Sequence, residues 1–246
     1  MADRERDPDS ERYAYSRTAL ARLAFSAELR ELADRAAARV PTTNDCWSHP
    51  GEPVGDAFDL VKQAQEALTR AVIYERQKGT SWEAIAEQLD IKKQSAHERY
   101  KDAVEEWKLG LVEPFYPPSR PDEKIRSLRL HDAAYTPTAA GRRLDAWARE
   151  RGQGEHAVTG ALPALTTAEE MVQVLDGINH LYGDGRKPAD PAARARLTDR
   201  KAALLERIAV EDGNPQAAVQ AAEARALAAQ LRTEAEKARA EAEGEL

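Results

Sequence analysis

Apolar residues recur at helical spacing along most of this chain, and the breaks between these runs fall at proline and glycine. From Ser10 a long helical pattern carries Phe25, Leu29, Leu32, Ala33, Ala36 and Val40 on one stripe and stops at Pro41. Leu20 and Leu23 widen its apolar face, so this helix is expected to pack on two neighbours or on a second chain. Pro41, Pro50, Gly51, Pro53 and Gly55 mark a loop. Asp56 is placed to cap the next helix, which runs to about Lys78 with Leu60, Val61, Ala64, Ala67, Leu68, Ala71, Val72 and Tyr74 on a broad apolar face.

The stretch from Gly79 to Trp107 holds two short helical patterns separated by a tight break. Thr80 and Glu83 have capping-box spacing, and Trp82, Ile85, Ala86 and Leu89 make one buried face. A second helix over about 92–108 turns Ala96, Tyr100, Ala103, Val104 and Trp107 inward. Ile91 wedges into the same core, and Ala86 and Ala96 are small where crossing helices approach closely. Lys93, Gln94, His97 and Lys101 then lie on the outer side of the second helix.

The spacing of Ile85, Ala86, Leu89, Asp90, Ile91 and Ala96 resembles the helix-turn-helix of bacterial sigma factor region four and of related small regulators, over about 30 residues. The resemblance implies double-stranded DNA as partner, with the second helix in the major groove. Two positions depart from the pattern. Asp90 stands in the turn where such motifs often have glycine, and Lys92 stands where serine or threonine would cap the next helix. On this reading Lys93, Gln94 and His97 face bases, Lys93 donating to guanine and Gln94 pairing with adenine. Lys92 and Lys101 suit phosphate, as do Arg126 and Arg129 in the basic stretch after Pro114, Pro117, Pro118 and Pro121. That stretch, 122–135, reads equally as a short helix or a wing-like hairpin.

Beyond it, Thr136 to Arg151 reads as a helix with Leu144 and Trp147 inward. Thr166 with Glu169 opens another, with Met171, Val174, Leu175 and Ile178 inward. Asp190–Pro191 and Asn214–Pro215 open two more. Leu197, Leu204, Leu205 and Ile208 form the stripe of the first of these. In the last, Val219, Ala222, Ala226 and Ala229 offer a heptad seam that fails at Thr233 and Glu236, with Lys237 and Glu241 as a surface pair.

The fold class expected is therefore all-α: an N-terminal helix and loop (1–55), a trihelical helix-turn-helix unit (56–110), a basic proline-rich connector (111–135) and a C-terminal helical bundle or hairpin (136–246). Composition narrows function further. A net charge of −7 and 32% charged residues mean that any affinity for nucleic acid must come from a local basic surface. Cys46 is the only cysteine, which excludes an internal disulfide and fits a reducing cytoplasm. Cys46 and His49 have metal-like spacing but lack further ligands, and the five histidines are scattered, so neither cofactor nor metal is expected. With no secretory signal, bilayer-length apolar run, nucleophile–base pair or phosphate-cradling loop, the expectation is a cytoplasmic transcriptional regulator that is not an enzyme. A homodimer or a protein partner would use the N-terminal or C-terminal helices. The competing reading is a helical adaptor whose motif binds a protein such as a component of the transcription apparatus.

Overall fold

A computed structural model describes residues 11–43, 47, 49–112, 130–183 and 191–244, and every regular element among them is helical. The chain divides into two compact units, the first containing the described residues up to 111 together with 130–164, the second running from 165 onward. None of the described helices is long and apolar enough to cross a membrane.

Helix α1 spans Arg17–Ala38 and starts about two turns later than the sequence pattern because Ser16 caps it: the Ser16 hydroxyl accepts from Ala19 N at 3.0 Å. Its first half is built of small and branched residues, and Ala19, Leu20, Ala21, Leu23, Ala24 and Ala27 are buried. The stripe expected to be its core face runs on past this point. Leu29 and Val40 are exposed, so only the first half of α1 is core.

Helix α2, Glu52–Gln77, follows Gly51, whose positive φ of 94° turns the chain into the first turn, with proline at the start supplying a fixed φ. Asp56, expected as the cap, instead pairs with Arg39 at 3.2 Å and ties the ends of α1 and α2 together. Burial on α2 is again one-sided along its length: Gln63, Ala67, Val72 and Ile73 are covered. Gly79 (φ 88°) closes the helix, with Thr80 N bonding Glu75 O at 3.0 Å.

Helices α3 (Trp82–Gln88) and α4 (Lys93–Val112) come next. Val72 and Ile73 of α2, Ile85 of α3, and Tyr100, Val104, Trp107 and Leu111 of α4 form one core with Leu20, Ala21 and Ala24 of α1 and with Leu130 and Ala134. The segment 56–110 is thus not a self-sufficient core, because α1 supplies part of its interior.

Residues 130–164, divided by sequence between the connector (to 135) and the C-terminal helices (from 136), fold onto α1. Helices α5 (Asp132–Tyr135) and α6 (Pro137–Glu150) and a 3₁₀ turn at Thr159–Ala161 bury Ala133, Ala140 and Leu144 against Leu23 and Ala27. Tyr15 and Thr138 hydroxyls meet at 3.0 Å, and Ser16 Oγ donates to Pro163 O at 3.0 Å. Gly141 lets this turn come close, since a Cβ there would lie 2.7 Å from Thr159 Cγ2. Burial raises the Asp145 carboxyl, but bonds from the Thr159 hydroxyl and the Thr159 and Val158 amides outweigh it and hold the group below the ordinary range. The position expected inward on α6, Trp147, is half-buried and donates to Asp34 at 2.9 Å.

The His131 Nδ1 atom accepts from Ala133 N at 3.1 Å, capping α5, while its Nε2 lies 3.7 Å from Glu28. Burial, with Arg70 nearby, lowers the His131 pKa from 6.5. Burial raises that of Glu28, with Glu31 adding to it. The unfolded chain therefore binds the histidine proton first, and the stability His131 contributes is complete above about pH 6.5 and falls as pH drops toward the depressed folded value. Melting temperature should decline between about pH 7.5 and pH 5. His131→Asn keeps an acceptor for Ala133 and should flatten that slope, leaving the opposite slope of Glu28, whose raised pKa favours the folded state as pH falls.

In the second unit, α7 (Thr167–Gly183) is opened as expected by Thr166, whose hydroxyl accepts from Glu169 N at 3.2 Å. Val174 is buried, but Met171 and Leu175, expected inward, are exposed. The side of α7 that is covered carries Glu170 and Gln173 instead, held by Arg207 and Arg200 of α8 (Pro191–Glu211). Helix α9 (Pro215–Gly244) is capped by Asn214 and packs along α8 through Ala217, Ala221, Ala224, Ala228 and Leu231. The seam expected through Val219, Ala222, Ala226 and Ala229 is exposed; the covered one lies beside it, where Leu231 supplies the one large side chain. Arg225 bridges Asp199 at 3.1 Å and Glu206 at 2.8 Å. The Lys237–Glu241 pair is present at 4.0 Å.

Candidate nucleic-acid interface

The site is set by how α3 stops and α4 starts. Ser81, not Thr80, caps α3: its hydroxyl accepts from Ala84 N at 3.2 Å. Thr80 is diverted, its hydroxyl donating to Glu75 Oε2 at 2.5 Å. At the other end Ile91 N bonds Ala86 O at 3.1 Å and Asp90 N bonds Glu87 O at 3.3 Å, the paired bonds of a Schellman stop. This stop requires a left-handed residue, and Asp90 takes it with φ 52°, alone among the described non-glycine residues in having positive φ. Aspartate tolerates the conformation better than most side chains, which is how the turn forms without glycine.

Ile91 is then half-buried, and Ala86 of α3 and Ala96 of α4 are both buried. Lys92 O accepts from Ala96 N at 3.0 Å, putting Lys92 at the head of α4. A lysine side chain has donors only, so it supplies no acceptor to the first-turn amides of Lys93, Gln94 and Ser95.

Each expected base-facing residue is exposed: Lys93, Gln94 and His97 lie in the open, as do Lys92 and Lys101. Arg126 and Arg129, the other two basic residues expected at phosphate, lie outside the described residues. Lys93 is ion-paired with Glu83 across the turn, and that bond holds the Glu83 carboxyl below its ordinary pKa. Gln94 Nε2 donates to Glu98 Oε1 at 3.1 Å. The His97 ring stands edge-on to Trp82, centroids 5.2 Å apart at 83°. The Arg76 guanidinium lies 4.9 Å from the centre of the same Trp82 ring and also donates to Thr80 O. Trp82 thus joins the end of α2 to the head of α4 and fixes the direction of His97.

Sequence periodicity did not identify Arg76 or Trp82 as the support for His97; the aromatic residue two places after Thr80 was the available signal. Glu98, Asp102 and Glu105, acids already legible in the sequence toward the far end of the helix, are exposed on the same outer face as Gln94 and Lys101. The surface is basic at the head of α4 and acidic farther along. Among the described residues no three metal-ligating side chains come together. Comparison with family models, curated proteins and solved structures finds no match for this chain.

Proposed function

We propose that α2, α3 and α4 form a helix-turn-helix that binds double-stranded DNA in the major groove, and that the protein is a cytoplasmic regulator of transcription. The observation that carries this reading is the tight, Asp90-centred turn, which half-buries Ile91 and is followed by the buried Ala96 while Lys92, Lys93, Gln94 and His97 stay exposed at the head of a 20-residue helix. Lys93 donates to guanine O6 and N7, and Gln94 pairs with adenine N6 and N7. His97, directed by Trp82, donates to a base edge or phosphate. Lys92 and the uncapped amides beside it suit a phosphate, because the helix dipole is positive there. Lys101 suits a second.

The salt dependence of binding to a mixed-sequence duplex tests this. Two to four neutralised phosphates, counting Arg126 and Arg129, give a slope of log affinity against log salt of roughly −2 to −4. Binding that is undetectable at low salt with the fold intact would sink the reading. A second reading, an adaptor for a protein of the transcription apparatus, is favoured by the acidic stretch Glu98, Asp102 and Glu105, which repels phosphate. An adaptor would show no DNA affinity to titrate.

A further inference from the structure

The N-terminal half of α2 carries an apolar face that no described residue of its own unit covers. Val54, Val61 and Leu68 recur every seven residues, with Ala57, Ala64 and Ala71 three places after each. Val54 is 73% exposed, Val61 52% and Leu68 38%, and Phe58 beside them is 58% exposed. One turn farther on, Val72 on the same face is 3% exposed, buried in the core with residues of α3 and α4. A single stripe is therefore covered at one end and open at the other.

The period of the open part specifies its partner. A seven-residue repeat is the signature of a face that meets another α-helix along its length, and alanine at every second contact position lets two backbones approach closely. Charge narrows the partner further. Asp56, Asp59, Lys62, Glu66 and Arg70 all lie off the stripe, which from Val54 to Leu68 contains Gln65 as its one polar residue. Two identical copies can therefore meet on it without opposing like charges. The polar side of the hairpin is elsewhere, in an open groove of about 490 Å³ lined by Glu28, Glu31, Arg35, Asp59, Lys62 and Glu66, which Gln65 reaches from the edge of the stripe. By helix geometry the exposed Leu29, Ala33 and Val40 of α1 face away from that groove, as the α2 stripe does, and extend the apolar surface.

We propose that the α1–α2 hairpin is a homodimerisation arm, the α2 stripe of one chain pairing antiparallel with that of a second copy about a two-fold axis at Val61. Val54 then meets the partner's Leu68, and Phe58 meets the partner's Ala64. The antiparallel sense follows from the covered end: a parallel pair would bring both α3–α4 bodies to the same end of the stripe, whereas the antiparallel pair carries them to opposite ends. Eighteen residues of helix are ~27 Å long, and two helices are ~20 Å wide. A footprint of that size is of the order that buries about 800 Å² from each partner. The proposal does not depend on DNA binding and is read without DNA.

Cys46 is the only native cysteine, so the test uses a Cys46→Ser background. Light scattering of the unaltered chain should give twice the 27.2 kDa chain mass. Val61→Cys should form a disulfide-linked dimer on mild oxidation. Val54→Cys alone and Leu68→Cys alone should not, but their mixture should cross-link. Val61→Asp places two carboxylates on the axis and should weaken the dimer by about 100-fold while circular dichroism stays helical. Should that variant unfold, the cysteine pattern still decides. A monomeric unaltered chain, self-cross-linking of Val54→Cys as efficient as that of Val61→Cys, or an intrachain disulfide between Val61→Cys and Leu175→Cys would each overturn the proposal. The last result would assign the stripe to the apolar face of α7.

Discussion

Replacing Trp107 with alanine is expected to destabilise the first unit by about 3–5 kcal/mol, the range for removing a buried aromatic side chain. Trp107 is 2% exposed and shares its cluster with residues of α1, α2, α3 and the segment after 130. Its removal leaves a cavity that four separately anchored pieces would have to close together, so collapse around the void is limited. In thermal unfolding the loss should appear as a fall of about 10 °C or more for a unit of this size. All parts of the unit should melt together. Trp107→Phe should cost much less, roughly 1–2 kcal/mol, because the Trp107 indole N–H has no acceptor among the described residues and the ring still fills most of the space. Were hydrogen exchange to show α3 and α4 of the alanine variant opening while α1 stays protected, the shared core would be refuted.

That shared core marks the limit of what periodicity conveys. The positions of the helices were legible because alanine- and leucine-rich runs end at Pro41, Gly79, Gly152 and Gly213, and a stripe at helical spacing has few other solutions. Which portion of a stripe is covered was not legible. On α1 and α2 the pattern continues without change past the last residue that a neighbour reaches, so Leu29, Val40, Val61 and Leu68 read the same as Leu20 and Val72. The cap of α3 was missed by one residue because Thr80 and Ser81 are chemically equivalent there. What separates them is Glu75, a full turn back on α2, which takes the threonine hydroxyl. On α9 several alanine seams are almost equally good, and the choice falls to the one that brings Leu231 onto α8.

The surface of α4 was legible for a different reason. Ala96 and Tyr100 had to be inward, so Gln94 and His97 had to be outward, whatever else the chain did. The restraints on those residues were less visible, since they come from neighbours on α2, α3 and the next turn of α4. The departure at Asp90 also changes meaning in three dimensions. Instead of weakening the turn, it occupies the left-handed position that the Schellman bonds of α3 require.

The restraints on Lys93 and Gln94 yield the second large expected effect, which rests on the proposed DNA binding. Each side chain already has an intramolecular acceptor, Glu83 for Lys93 and Glu98 for Gln94, that a base or phosphate must displace. Losing both donors in Lys93→Ala/Gln94→Ala should reduce affinity for the preferred sequence by about 100-fold, from roughly 1–3 kcal/mol for each well-made base contact. Affinity for random duplex, set by phosphate contacts, should fall much less. Glu83→Gln should act in the opposite direction. It releases Lys93 and removes a negative charge from the turn, so binding should tighten several-fold at low salt, with the gain fading as salt screens the charge. Anisotropy titrations of the three proteins on one preferred and one scrambled duplex separate these effects. If Glu83→Gln weakened binding, or if the double alanine variant lost affinity equally on both duplexes, Lys93 and Gln94 would not be reading bases. An adaptor that uses the acidic surface of α3 and α4 gives the reverse sign: its partner should bind less tightly once Glu83 is neutralised.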